Sequence, residues 1–421
     1  MQKTASVTAG QITVRTLGGL ERAFFSHSLR APIDFSVVAE ISGATDEQTV
    51  VKAFAALRDR HPYLRVEVVE HPSDGLSFAW SDNEPLVVVR HVAQATSWLE
   101  VVRDDLQRWE DISGSPLMKA SVLLAPDSFA ICLTFNHTIT DGRGALAILH
   151  DFIRLIGGER LQALSGLPGL NDFAAGYAAA ELPPPPPESE VKPEIRIRQV
   201  TDDPLQLSIL EFDRELTRHL VAKCREESTT VHGAICAAAA IATKPGRTGP
   251  IGISSPVDLR ATAGKDADCP GLFMGLSPAF LQVTDEDTLW TVARRSTDGI
   301  AAIRSPETVA GLTRFLETIV PKVADPGFAF AVLPPQVLDL MISNLGRLSI
   351  ETQINSLKVR AIWGPILNTQ ISQSNMIGIN TLNGVLRMVH VSSGGNPSLL
   401  TDVLVAIEKA VSADEGVALR T

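Results

Sequence analysis

The sequence predicts an α/β protein, an α+β two-layer sandwich built twice in one chain. Three observations carry this. Apolar runs of strand length mix with runs of helical spacing, without a strict strand–helix–strand rhythm or an internal repeat. A single proline run divides the 421 residues into two stretches, each of domain size. The composition, 45% hydrophobic and 20% charged, gives both stretches material for a core and excludes a disordered or fibrous chain.

Taken in order, the first stretch opens polar and then shows an amphipathic helix over Asp46 to Arg60. There Val50, Val51, Phe54, Ala55 and Leu57 fall on one side, and the Asp46 carboxylate suits the positive end of the helix dipole. The next segment, HPYLRVEVVE, turns into a strand in which Leu64, Val66 and Val68 alternate. Ser128 to Phe135 is almost wholly apolar and predicts a central strand. The polar segment NHTITDGRG follows it, and ALAILHDFIRLI then predicts a helix, so the polar segment sits in a strand–loop–helix turn.

Five consecutive prolines, Pro183 to Pro187, must be extended and cannot donate backbone hydrogen bonds. The division expected from them is residues 1–180, a Pro-rich linker over 181–199, and residues 200–421. The second stretch begins with a strand and a helix carrying Leu216, Leu220 and Cys224 four apart. An Ala-rich buried helix with Ser228 at its N-cap comes next. Strands are expected at Pro250 to Ser254, Phe280 to Val283 and Val385 to Val391, and helices over Asp287 to Arg304 and Ser398 to Ser412.

Charge and cysteine usage exclude several function classes. With 48 acidic and 37 basic residues the formal charge is −11, which disfavours nucleic acid and anionic membrane surfaces as partners. No run approaches the ~18 apolar residues of a membrane span, and no secretory signal is visible at the N-terminus. The four cysteines, Cys132, Cys224, Cys236 and Cys269, form no C-x-x-C pair, so neither a disulfide framework nor a zinc cage is expected, and no metal. A reduced, cytoplasmic compartment fits this usage.

Most candidate motifs fail on spacing. The segments at Gly252 and Gly275 lack the last glycine of a nucleophile elbow, Ala263 to Asp266 lacks the spacing of a phosphate loop, and no dinucleotide fingerprint follows a strand. His27, His61, His71 and His91 are scattered and read as turn or surface histidines, and His232 as a packed or capping one. One segment survives, Asn136 to Gly144. A histidine at a strand end with a carboxylate four residues on suits general-base work near neutral pH, and the glycines allow close approach of substrate or backbone. The same residues also fit a plain turn, with Asp141 capping the next helix, and the pattern alone leaves both readings open.

The segment NHTITDG resembles the H-H-x-x-x-D-G motif of the acyltransferase superfamily built on the chloramphenicol acetyltransferase fold. That superfamily includes peptide condensation domains, the plant BAHD enzymes and the polyketide-associated acyltransferases. Further segments carry the likeness along most of the chain: Leu17 to Glu21, FAALRDRHPYLRVEV, Pro256 to Arg260 and Ser343 to Gly346. The closest overall likeness is to the phthiocerol dimycocerosyl transferase type. Asn136 replaces the first histidine of the motif, and the D-F-G-W-G segment of the plant branch is absent, although Trp363-Gly-Pro lies in that region.

The resemblance implies two chloramphenicol acetyltransferase-like subdomains with a tunnel between them. It implies an O-acyltransferase, with His137 taking the acceptor proton, Gly142 offering a backbone donor to the oxyanion, and Asp141 pairing with Arg260. The co-substrate would be acyl-CoA or an acyl carrier protein, a small acyl group such as acetyl being favoured, with no permanently bound cofactor. The acceptor would be a hydroxylated small molecule, a polyketide-type product or a lipid alcohol. A monomer would suffice, because one chain supplies both walls of the site. Ser343 and Asn344 either line the thioester channel or cap a turn, and Ser372, Gln373 and Asn375 either face the tunnel or form the polar face of a strand. Arg294, Arg295 and Arg304 form a loose cationic cluster that could meet CoA phosphates or an acidic carrier. A freestanding condensation enzyme and a catalytically inactive recruitment module are the alternatives on the same fold.

Overall fold

A computed structural model describes residues 13–81, 83–92, 98–107, 112, 114–177, 205–245, 249–332, 338–371 and 374–412. The first part of the chain supplies β1 (Thr13–Thr16), β2 (Asp34–Ser42), β3 (Val66–His71), β4 (Gly75–Trp80), β5 (Val87–His91), β6 (Met118–Ala125) and β7 (Ser128–Asn136). The second supplies β8 (Gln206–Phe212), β9 (Ile251–Asp258), β10 (Met274–Leu281) and β11 (Leu340–Arg347), then β12 (Gln353–Ile354), β13 (Leu357–Leu367), β14 (Asn375–Leu382) and β15 (Val385–Ser392). The helices before the Pro-rich segment are α1 (Gly19–Ser28), α2 (Glu47–Arg60), α3 (Trp98–Gln107), α4 (Gly142–Ile156) and α5 (Leu170–Ala174). Those after it are α6 (Arg214–Glu226), α7 (Val231–Thr243), α8 (Leu289–Arg295), α9 (Ile300–Ile303), α10 (Pro306–Ile319), α11 (Pro326–Val332) and α12 (Leu399–Ser412).

Two six-stranded sheets carry the fold, in the orders β12-β13-β2-β7-β6-β5 and β10-β9-β11-β14-β15-β8, beside a small sheet β1-β4-β3. The α/β class expected from the sequence holds. Strand β7 is buried along nearly its whole length, as its apolar run requires of a strand paired on both sides, by β2 and β6. Helices α3 and α4 pack on β2 and β7, with α2 against α4, and α7, α8 and α12 cover the second sheet. No helix among the described residues is long and apolar enough to cross a membrane.

The order of strands does not follow the division at the prolines. β12 and β13 come from the second part of the chain yet complete the first sheet, β13 running antiparallel to β2 from Lys358 opposite Ser42 to Leu367 opposite Phe35. Asn380 on β14 donates to the carbonyls of Ile362 at 3.0 Å and Gly364 at 3.3 Å, which ties the crossing strand to the second sheet. Gly378 makes the crossing possible, because a Cβ there would collide with the Pro365 carbonyl. Trp98 and Trp363 both donate to Glu40 Oε1, at 2.9 and 2.8 Å, and fix β13 over the first half. The prolines and the expected linker 181–199 lie outside the described residues.

Several local expectations shift. Helix α2 begins one residue late because Asp46 is its N-cap, accepting from Thr49 N at 2.7 Å. Leu64 lies in a short 3₁₀ turn, Pro62–Arg65, and the strand starts only at Val66. The N-cap of α7 is Thr230, which accepts from Gly233 N at 3.0 Å, while Ser228, just before it in the chain, adopts φ 52°. The single helix expected over Asp287 to Arg304 is two, α8 and α9, and the strand expected at Phe280 to Val283 lies earlier, as β10.

Candidate active site

Strand β7 ends at Asn136 and delivers His137 to a cavity of about 370 Å³. Both parts of the chain line it, through His137, Gly142 and Arg143 on one side and Pro256, Ser343 and Pro365 on the other. Asn136 holds the strand end in shape: its side chain donates to Ser28 Oγ at 3.1 Å and Asp34 Oδ1 at 3.0 Å and accepts from Thr138 Oγ1 at 2.7 Å. The residue in place of the motif's first histidine is therefore occupied as a bracket.

The His137 ring stacks on Phe24 of α1, with centroids 4.6 Å apart and planes at 8°, and lies 4.8 Å from Phe35. Its backbone N–H donates to the Ile33 carbonyl at 3.0 Å. Burial drives its pKa below the ordinary 6.5, although Asp141 and the backbone of His137 and Thr140 pull the other way. Nδ1 is buried without a well-formed hydrogen bond among the described residues. A ring with its pKa below 6.5 is neutral at neutral pH, a form that is able to accept a proton.

Helix α4 begins at Gly142, within the motif. Asp141 is its N-cap, and Oδ1 accepts from Arg143 N at 3.0 Å and Gly144 N at 3.1 Å. Oδ2 accepts from Phe273 N at 2.8 Å and from Arg260 Nη1 at 3.0 Å, while Arg260 Nη2 lies 2.9 Å from Oδ1. The capping role and the ion pair, read from the sequence as separate uses of Asp141, are made by one carboxylate. Burial alone would raise the Asp141 pKa, but Arg260 and the N–H donors outweigh it and hold the carboxyl below its usual range. Arg260 is buried and also donates to Asp258 Oδ1 and to the carbonyls of Cys269 and Gly271, at 3.0, 2.8 and 2.9 Å. An added Cβ on Gly144 would collide with Thr140 Oγ1, so the tight turn needs glycine there.

Gly142 N–H makes no hydrogen bond to the described protein residues and sits at the positive end of α4 beside the cavity. His137 and Gly142 therefore offer a base and an N–H donor in one cavity. Among the described residues no group of three or more His, Cys, Asp or Glu side chains is arranged to hold a metal.

The remaining sequence candidates separate. Ser343 and Asn344 line the cavity, and Asn344 also caps a turn, accepting from Gly346 N at 2.7 Å. Asn375 is outside the lining and its Oδ1 is 3.0 Å from His390 Nε2, while Ser372 and Gln373 lie outside the described residues. The arginine cluster dissolves: Arg294 pairs with Glu227 at 3.1 Å and Arg295 with Asp287 at 2.7 Å, leaving Arg304 at the cavity. His27 and His61 are buried, not turn or surface residues as the sequence led us to expect. His27 lines the cavity one helical turn beyond Phe24, and His61 is 2.9 Å from Asp151. Sequence reasoning missed Phe24, His27 and Arg143; only their i, i+3 spacing on α1 and the place of Arg143 inside the motif could have drawn attention. A second, apolar cavity of about 210 Å³ adjoins the first, sharing Phe24, Met274 and Leu276.

Residues 203–367 match the family model described as the phthiocerol/phthiodiolone dimycocerosyl transferase C-terminus. That match spans the part of the chain that supplies Arg260, Ser343 and β13. Solved structures of acyltransferases and condensation domains share the fold over almost the whole chain. Polyketide synthase associated protein 5 from Mycobacterium tuberculosis aligns at 16% identity and TM-score 0.66, over 96% of this chain and 99% of that one. TRI101 of F. sporotrichioides, complexed with coenzyme A and T-2, aligns at 13% and 0.62, over 96% and 97%. Phosphinothricin tripeptide synthetase PhsC of Streptomyces viridochromogenes is 28% identical over 157 residues, 35% of this chain and 14% of the synthetase. The chain thus matches about one seventh of that curated relative's length.

Proposed function

We propose that this acyltransferase moves an acyl group from a CoA or carrier-protein thioester to a hydroxyl of a small polyketide-type product or lipid alcohol. The observation that carries the reading is the neutral, stacked His137 beside the unbonded Gly142 N–H, in a cavity lined by both parts of the chain.

In this reading His137 Nε2 removes the proton from the acceptor hydroxyl as its oxygen attacks the thioester carbonyl. The carbonyl oxygen gains negative charge, and Gly142 N–H at the helix start donates to it; one such donor is typically worth ~10²–10³ in rate. The tetrahedral intermediate then expels the thiolate, which takes the proton back from His137. Asp141 touches none of the reacting atoms, since its two oxygens are engaged by Arg260 and backbone N–H groups. It is a positioning residue that keeps the loop between β7 and α4 in shape.

Coenzyme A in the complex of TRI101 supports the free thioester as donor. A small acyl group, acetyl foremost, is the donor we favour. The match to a tripeptide synthetase supports a second reading, amide formation between carrier-bound partners. The test is mass spectrometry of an acyl-CoA panel incubated with the protein and a mixed alcohol and amine set, with His137→Ala in parallel. Ester products absent from the variant support the first reading. Amides formed only from carrier-bound donors support the second, and no product from either donor class removes both.

A further inference from the structure

The cavity carries a cation that the acyl-transfer chemistry does not use. Five charged side chains line it: Asp141, Arg143, Asp258, Arg260 and Arg304. Arg260 is neutralised by Asp141 and Asp258, and Arg304 is exposed at the rim. Arg143 is half-buried, and its side chain makes no ion pair or hydrogen bond among the described residues. Its position makes the absence of a counter-ion costly. Arg143 is the second residue of α4, where the helix dipole disfavours positive charge, and burial adds a desolvation cost. Its backbone is pinned through the N–H to Asp141 Oδ1 at 3.0 Å, so the side chain leaves from a fixed point beside Gly142. The whole chain carries −11, and within this one cavity the arginines outnumber the aspartates.

We infer that Arg143 binds an anionic oxygen group, a carboxylate or phosphate, on one of the two substrates, and so selects charged over neutral ones. A guanidinium presents paired donors to such a group, and a partly desolvated site strengthens the contact. The inference rests on the reading of this cavity as the substrate site. The anion can belong to a dicarboxylic acyl group, to a hydroxy-acid acceptor, or to the phosphates of coenzyme A.

The test is equilibrium binding to the full chain, without turnover, of three matched pairs. These are succinyl and butyryl thioesters of N-acetylcysteamine, a 3-hydroxy acid and its methyl ester, and coenzyme A and pantetheine. In wild type the anionic member of one pair binds roughly ten- to hundred-fold more tightly. The pair that responds names the source. Arg143→Met abolishes the difference and leaves neutral members unchanged, and Arg143→Lys restores part of it. A wild-type protein indifferent to charge in every pair overturns the inference. So does a preference that survives Arg143→Met, or a loss that falls equally on neutral members. A melt of both variants shows that they fold, and the lysine variant carries the comparison if the methionine one does not. Because binding is read directly, failure here leaves the acyl-transfer reading to its own product assay.

Discussion

Replacing Asp141 by alanine should cost stability and activity together, and the structure allows the size to be worked out. The carboxylate receives three backbone N–H groups and the Arg260 guanidinium. Its removal uncaps α4, a loss of about 1 kcal/mol. It also breaks a buried ion pair between residues 119 apart in sequence, a class of change worth about 3–5 kcal/mol. Arg260 keeps Asp258 and two carbonyls, so it is not wholly stranded. The expected total is therefore about 3–5 kcal/mol, not the sum of the separate losses. Arg260→Met should cost at least as much, since it also releases the carbonyls of Cys269 and Gly271. The double variant should cost clearly less than the two singles added, because both remove the same pair. Denaturant melts of the four proteins, with activity per folded molecule, make the measurement. A melt of Asp141→Ala that overlays wild type, or strict additivity in the cycle, would refute the argument that this pair joins the two parts of the chain.

Other expectations follow from the same geometry. The pH profile of kcat/KM should rise with pH to a plateau by neutrality, with its limb below 6.5, because burial depresses the His137 pKa and the base must be unprotonated; a limb at or above 6.5 contradicts a buried base. Phe24→Ala should lower kcat by roughly ten- to hundred-fold and move that limb upward, since it loosens the ring and lets water reach it. Burial also lowers His27, His232 and His390 to about 4 each. Unfolding restores their ordinary affinity for protons, so their stability contribution is present above 6.5 and lost as pH falls towards 4; a melting temperature flat over that window would count against the three buried neutral rings.

Much of this fold was legible because its signals are local. The apolar run of β7 and the helical spacing of α2 and α4 are set by neighbours in sequence, and the elements stand within a residue or three of expectation. The crossing of β13 into the first sheet was not legible. Its pairing with β2 joins Lys358 to Ser42, and nothing in either segment names the other. At the site, Asp141 and His137 announced themselves by spacing, and Arg260 through a resemblance. Phe24 and His27 did not, because apolar and histidine positions on a short helix look like any buried face. Ser228 failed as a cap for a conformational reason: its φ of 52° takes it out of the extended geometry that Thr230, at φ −123°, provides.

The most direct test of the central claim is the kcat/KM for ester formation by His137→Ala, measured beside its melt and its affinity for the acyl donor. The account predicts a fall of roughly 10²–10⁴-fold with donor affinity intact and stability changed little, the loss expected of a missing general base. Transfer at the wild-type rate by a folded, donor-binding His137→Ala protein would contradict it, and the base would have to be sought elsewhere in the cavity.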